Sequence, residues 1–85
     1  MGTPMHILVI EDDEKIASFV VKGLRQAGHQ AGLATDGKIG LARLREEHHD
    51  AAVVDIMLPH LDGLSLVQQA RQAGVTTPII FLSAR

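Results

Sequence analysis

Residues 51–55 read Ala-Ala-Val-Val-Asp, a run of four apolar residues that ends on an acidic one. An uninterrupted apolar run of this length is typical of a strand in a parallel sheet that is covered on both faces. A carboxylate at the end of such a strand costs on the order of several kcal/mol to bury unless a cation or a hydrogen-bond donor meets it. The stretch therefore predicts a buried parallel strand and a functional role for Asp55.

Three further apolar runs, at residues 6–10, 31–34 and 79–82, are spaced along the chain in the same way. The segments between the runs carry apolar residues at helical spacing, and residues that favour helix ends flank them. The second helix is expected to continue to about His48, and the weak run at 31–34 is expected to be an edge strand. The order β-α-β-α-β-α-β predicts an α/β fold with right-handed crossovers and a parallel sheet.

The composition narrows the class of protein. The chain has 85 residues, a formal net charge of −2 and no cysteine, which indicates one domain without disulfides or thiolate metal sites. The sequence contains no long basic run that would favour direct binding of nucleic acid. No apolar run approaches the roughly 18 residues that span a bilayer. A signal-peptide pattern is missing, so we expect a cytoplasmic protein without membrane contact. Met5 directly precedes the first strand, so residues 1–4 are expected to be a cloning addition or flexible, and the domain to comprise residues 5–85.

Acidic and hydroxyl side chains follow three of the four predicted strands. Glu11, Asp12 and Asp13 follow the first strand, Asp55 ends the third, and Ser83 follows the fourth. Because the carboxyl ends of parallel strands lie at one edge of a sheet, we expect these side chains to gather there. Capping the first helix requires only one carboxylate, most naturally Asp13, which leaves Asp12 and Asp55 for function. Clustered carboxylates without histidine or cysteine suit Mg²⁺, and an aspartate can accept a phosphoryl group.

Four motifs in this order resemble the receiver domain of two-component response regulators. They are Ile-Leu-Val-Ile-Glu-Asp-Asp at 7–13, Val-Val-Asp-Ile-Met-Leu-Pro at 53–59, Leu-Asp-Gly at 61–63 and Ile-Ile-Phe-Leu-Ser-Ala at 79–84. The resemblance implies a flavodoxin-like (CheY-like) doubly wound parallel sheet, here limited to β1-α1-β2-α2-β3-α3-β4. It also implies a signalling domain rather than an enzyme with external turnover.

The resemblance assigns a role to each residue of the predicted site. Asp55 would accept a phosphoryl group from a phosphohistidine on a sensor histidine kinase. Mg²⁺ would be bound by Asp12, by Asp55 and by the backbone carbonyl of Met57, and by Glu11 through water. Ser83 would be the switch hydroxyl that follows the phosphoryl group, and Ala84 would leave access to the site.

The motifs most resemble regulators of the OmpR type, in which a DNA-binding domain follows the receiver. Family members also carry a lysine and a switch aromatic residue on a fifth strand, and this chain ends before both. Lys15, Lys22 and Lys38 lie in or at the start of predicted helices, so none of them can replace that lysine. We therefore expect the acceptor part of a regulator, which meets DNA only through a missing domain. Without a fifth strand, residues 79–82 would form an apolar edge, so we expect the isolated chain to self-associate.

Three alternatives remain open at this point. A phosphatase of the haloacid-dehalogenase type also uses an aspartyl phosphate, but it carries Asp-x-Asp after the first strand, whereas Ile56 and Met57 follow Asp55. A non-phosphorylated assembly module would use its acidic residues as caps and would not bind Mg²⁺. Binding of a transition metal by the five histidines is disfavoured, because His48 and His49 are adjacent and would point about 100° apart on a helix.

Overall fold

The computed structural model describes residues 2–83 as four strands and three helices in strict alternation. The elements are β1 (His6–Ile10), α1 (Glu14–Gln26), β2 (Gln30–Ala34), α2 (Gly37–Glu46), β3 (Ala51–Asp55), α3 (Gly63–Gln72) and β4 (Ile79–Leu82). All strand pairs are parallel, and the strand order is β2-β1-β3-β4. The predicted α/β fold and the predicted edge position of β2 are confirmed.

An aspartate caps the start of each helix. The Oδ1 of Asp13 accepts hydrogen bonds from the backbone N–H groups of Lys15 and Ile16, at 2.9 and 3.0 Å. Asp36 and Asp62 cap α2 and α3 in the same way. Each of these side chains satisfies backbone donors that have no partner inside the helix. The helix starts can therefore be read from the sequence.

The prediction that α2 continues to about His48 is wrong. The helix ends at Glu46, and Glu47 already has extended backbone angles, φ −121° and ψ 154°. The residues that follow must lead into β3 with Ala51 beside Ile7 of β1, which requires extended backbone. The Asp50 side chain ties the start of β3 to β1, because its Oδ2 accepts a hydrogen bond from the His6 N–H at 2.7 Å.

The sheet is covered on both faces, and residues along β1 and β3 alternate between two buried clusters. Leu8 and Ile10 pack with Leu66 and other residues of α2 and α3 on one face. Ile7 and Val9 pack with Val21 of α1 on the other. This double coverage is the reason that β1 and β3 are continuous apolar runs rather than alternating ones. No helix within residues 2–83 is long and apolar enough to cross a membrane.

The last strand is covered less well than the first and third. Ile80 is 60% exposed and Phe81 is 42% exposed, while Ile79 and Leu82 are half-buried. Since β4 pairs only with β3 in the described part of the chain, its outer backbone groups form one edge of the sheet.

Candidate functional site

The candidate site lies at the carboxyl edge of the sheet, between the ends of β1 and β3. The register that pairs Ile10 with Val54 brings the residues after β1 beside Asp55, the last residue of β3. Carboxylate oxygens of Glu11, Asp12 and Asp55 lie within 4.8 Å of one another. Glu11 and Asp55 are only 1% and 3% exposed, whereas Asp12 is exposed.

The acidic residues that follow β1 differ in burial and in orientation. The backbone N–H of Glu11 donates to the Ala34 carbonyl at 3.0 Å, which extends the ladder between β1 and β2 and keeps Glu11 inside. Asp13, two residues later, turns away to cap α1. Asp12 lies between them and is the solvent-accessible member of the cluster. A ligand arriving from solvent would therefore meet Asp12 first and the two buried carboxylates behind it.

Burial and the neighbouring carboxylates disfavour the charged form of Glu11. The pKa of Glu11 is raised from 4.5 to about 7, mainly by burial and also by the neighbouring Asp55 and Asp12, while a hydrogen bond from the backbone of Asp13 lowers it. That bond runs from the Asp13 N–H to Glu11 Oε2 at 3.1 Å, while the buried Oε1 has no hydrogen-bond partner. A buried acceptor without a partner costs about 1–3 kcal/mol. A cation at this point, with a water in its shell as the partner of Oε1, would satisfy this oxygen and offset the repulsion among the carboxylates.

The loop after β3 orients the Asp55 side chain. Its Oδ1 accepts a hydrogen bond from the Met57 N–H at 3.0 Å, which fixes one carboxylate oxygen. Gly63, at the start of α3, donates its N–H to the Ile56 carbonyl at 2.9 Å, and a Cβ on Gly63 would collide with the Asp55 carbonyl oxygen. Only glycine lets α3 approach the end of β3 this closely, so the motif at 61–63 helps to fix the loop that follows Asp55.

One backbone feature of this loop was not foreseen from the sequence. His60 has a positive φ of 68°, and the Leu61 N–H donates to the Pro59 carbonyl across it at 2.8 Å. A non-glycine residue in this region is uncommon and stores strain on the order of 1–3 kcal/mol. A glycine would have signalled the turn, and histidine does not.

The remaining predicted site residues lie at the same edge in different surroundings. Leu82 pairs with Asp55, and the exposed Ser83 follows it directly. Met57 is 60% exposed, and its N–H is used by Asp55. Ala84 lies outside the described residues.

The histidines lie apart from the acidic cluster. Among residues 2–83, the group of metal-ligating side chains that come together consists of carboxylates. His48 and His49 follow α2 rather than belonging to it, so the helical angle expected between them does not apply. His48 Nε2 lies 3.4 Å from Asp50 Oδ1, and the buried His49 has its Nε2 3.1 Å from Glu47 Oε1. The two rings thus contact different carboxylates.

A family profile and the sequences of related proteins both match this chain to response regulators. The family profile of the response regulator receiver domain matches residues 7–85. The transcriptional regulatory protein DltR of Streptococcus agalactiae is 42% identical over 81 residues, which is 95% of this chain and 36% of that protein. The transcriptional regulatory protein QseB of Haemophilus influenzae is 43% identical over 81 residues, 95% of this chain and 37% of that protein. The chain spans little more than a third of the length of these curated relatives.

Solved structures agree in fold. The receiver domain of the Francisella response regulator 1452 superposes with a TM-score of 0.90 at 39% identity, over 94% of this chain and 66% of that one. The response regulator TrrA of Thermotoga maritima, in complex with Mg(2+)-BeF, superposes with a TM-score of 0.88 at 26% identity, over 94% of this chain and 70% of that one.

Proposed function

Because this chain belongs to the response regulator receiver domain family, we propose that it is the phosphoacceptor part of a transcriptional regulator and that Asp55 accepts the phosphoryl group. The observation that carries the proposal is the buried carboxylate of Asp55 at the end of β3, within 4.8 Å of Glu11 and Asp12. A buried carboxylate beside two others is costly for stability, and a reaction that uses its negative charge explains why it is there.

The reaction that fits this arrangement is phosphoryl transfer from a phosphohistidine on a sensor histidine kinase. A carboxylate oxygen of Asp55 forms a bond to phosphorus, the phosphorus–nitrogen bond breaks, and the electron pair of that bond returns to the kinase imidazole. The Met57 N–H holds Oδ1 of Asp55 at 3.0 Å and so presents the carboxylate in one orientation. Transfer of this kind depends mainly on positioning and on neutralising negative charge.

The residues of the site fit Mg²⁺. All side-chain donors in the cluster are carboxylate oxygens, the hard ligands that this ion prefers, and the buried Oε1 of Glu11 lacks a partner. Asp12, Asp55 and the backbone carbonyl of Met57 would hold the ion directly, and Glu11 would hold it through water. When bound, the ion supplies positive charge that neutralises both the carboxylates and the incoming phosphoryl group.

The remaining assignments complete the proposal. The Ser83 hydroxyl would donate to a phosphoryl oxygen on Asp55 and so register whether the site is occupied. Residues 5–85 would be the receiver part of an OmpR-type regulator, controlling a DNA-binding output that lies beyond these residues. The cytoplasmic location expected from the sequence belongs to the same proposal.

The decisive experiment is phosphorylation of the full-length protein by its kinase or by acetyl phosphate. Asp55→Asn should abolish the hydroxylamine-sensitive label, because the amide cannot form an acyl phosphate. Asp13→Asn is the matched control: it removes one charge two residues from Glu11 yet keeps a capping side chain, so labelling should continue. Labelling of Asp55→Asn at the level of the parent protein would show that another residue is the acceptor.

We also propose that the isolated 85-residue chain self-associates through β4. The observation that favours this is the exposure of Ile80 and Phe81, at 60% and 42%, on a strand whose outer edge has no neighbour in the described residues. An apolar edge without a charged residue in it is a template for strand pairing.

A further inference from the structure

The second edge of the sheet, formed by β2, has backbone groups that point away from the sheet. Gln30 donates its N–H to the Met5 carbonyl at 2.9 Å, and the Ala34 carbonyl accepts from the Glu11 N–H at 3.0 Å. Both residues thus direct their backbone groups towards the β1 side. Because successive residues of a strand alternate, Ala31 and Leu33 direct their N–H and C=O groups away from the sheet. β2 is therefore an edge that could accept another strand.

The sequence of β2 contains none of the usual protection against such pairing. Gln30–Ala34 holds neither a charged residue nor a proline, and the side chains of Ala31, Gly32 and Ala34 are small. Leu33 is 41% exposed. An uncharged edge of this kind normally favours association with another strand. Protection, if it exists, must come from other elements.

Two arginines from neighbouring helices cover the outward carbonyls. Nη2 of Arg25, in the last turn of α1, donates to the Ala31 carbonyl at 3.0 Å. Nη1 of Arg43, in the last turn of α2, donates to the Leu33 carbonyl at 3.0 Å. Since α1 and α2 pack on opposite faces of the sheet, the two guanidinium groups reach the same edge from both sides.

Local packing fixes the position of Arg43. Its Nε donates to Glu47 Oε1 at 3.2 Å, one turn further along the chain. Its guanidinium also lies against Gly32, where an added Cβ would come within 3.0 Å of Nη2 and 3.6 Å of Cζ. An added Cβ would require Nη2 to shift by a few tenths of an ångström. The two further methyl groups of a valine would crowd the guanidinium more, so valine at position 32 should weaken its contact with Leu33 while leaving the net charge unchanged.

From these contacts we propose that Arg25 and Arg43 close the β2 edge against strand addition, and that the surface they cover is a latent pairing site for a second copy of this chain. An incoming strand needs the carbonyls of Ala31 and Leu33 as acceptors, and both already accept from a guanidinium group. The occupant is a second copy because two identical, uncharged edges can pair antiparallel about a two-fold axis. This site is distinct from the β4 edge, at the opposite side of the sheet.

The test measures hydrogen exchange of single backbone amides by NMR in the 85-residue chain at low and high protein concentration. In R25M/R43M, which keeps the aliphatic stems, the N–H groups of Ala31 and Leu33 should exchange about tenfold more slowly at the higher concentration. In the parent chain their exchange should not depend on concentration. Any pairing through β4 appears separately, at the amides of Ile79 and Phe81.

Two further variants keep the result unambiguous. G32V retains both arginines and the net charge and suits a strand, so it should fold and should show the same protection at Leu33. K22M/R45M removes one cation from each of the same two helices and should behave like the parent. The proposal is overturned if G32V and R25M/R43M show no concentration-dependent protection at these amides, or if K22M/R45M shows as much.

Discussion

At the scale of single residues, the Glu11 carboxyl group lies in unfavourable surroundings. It is 1% exposed, it lies beside Asp55 and Asp12, and one of its oxygens has no hydrogen-bond partner. Burial is the largest cause of its raised pKa, and the neighbouring carboxylates add to it. The same features that make Glu11 unfavourable for the free chain would make it respond to the proposed Mg²⁺.

Glu11 should make stability fall as the pH rises. Its pKa is about 7 in the folded chain against 4.5 as the ordinary value, so the folded state binds the proton more tightly than the unfolded state. Stability from this group is therefore full below pH 4.5 and is lost as the pH rises to about 7, by about 3 kcal/mol in total. Urea unfolding without divalent cations at pH 5 and pH 8 measures the change.

The matched variant for this prediction is Glu11→Gln, which should flatten the dependence between these two pH values. Asp50 and Asp62 do not interfere, because their pKa values are lowered by hydrogen bonds and their contribution is lost only at more acidic pH. Millimolar Mg²⁺ should restore stability to the parent at pH 8 and have less effect at pH 5, where Glu11 holds a proton. An equal slope in parent and variant would refute the role given to Glu11.

At the scale of elements, the start of α1 separates two neighbouring carboxylates. Asp13 Oδ1 accepts from the N–H groups of Lys15 and Ile16, whereas Asp12 belongs to the cluster with Asp55. The helix cap and the proposed ion site therefore use different residues of the same short turn.

Replacement by alanine should lower mainly the stability at Asp13 and mainly the Mg²⁺ binding at Asp12. Asp13→Ala should lower the free energy of unfolding by about 1 kcal/mol through loss of the cap, and Mg²⁺ binding should largely remain. Asp12→Ala should remove most Mg²⁺ binding and change the stability of the ion-free chain little, because it removes a repelling charge from an exposed position. Denaturant unfolding and Mg²⁺ titration of both variants decide the matter, and equal loss of binding in both would contradict it.

At the scale of the whole molecule, the two edges of the sheet differ in protection. At β2, guanidinium groups cover the outward carbonyls of Ala31 and Leu33. At β4, the exposed apolar side chains of Ile80 and Phe81 lie beside an edge with no neighbouring strand in the described residues. Each large apolar side chain contributes roughly 1.5–3 kcal/mol when it becomes buried, and this gain supports the proposed association through β4.

The 85-residue chain should therefore sediment as an oligomer at micromolar concentration. Ile80→Lys should shift it towards the monomer, because a lysine on an edge strand opposes pairing. Leu64→Lys is a close control: Leu64 is 57% exposed on α3, compared with 60% for Ile80, and the charge change is the same. A stable parent monomer, or an equal effect of both lysines, would exclude association through β4.

Much of the fold could be predicted because its signals are local. Continuous apolar runs marked β1, β3 and β4, and aspartates marked the helix starts, since a cap needs only the next few residues. The end of α2 was missed because the departure at Glu47 depends on the register between β1 and β3. The positive φ of His60 was missed because its residue type does not signal a turn.

By itself, the sequence determined the order of elements, the parallel α/β class, the family motifs and the delivery of acidic residues to one edge of the sheet. Only the tertiary structure decided that Glu11 is buried with an oxygen left unpartnered, and that Arg25 and Arg43 meet the carbonyls of β2. The physical reason is the separation along the chain over which each interaction acts. Periodicity and capping act over a few residues, whereas burial, charge repulsion and edge protection arise between elements that meet only when the chain folds.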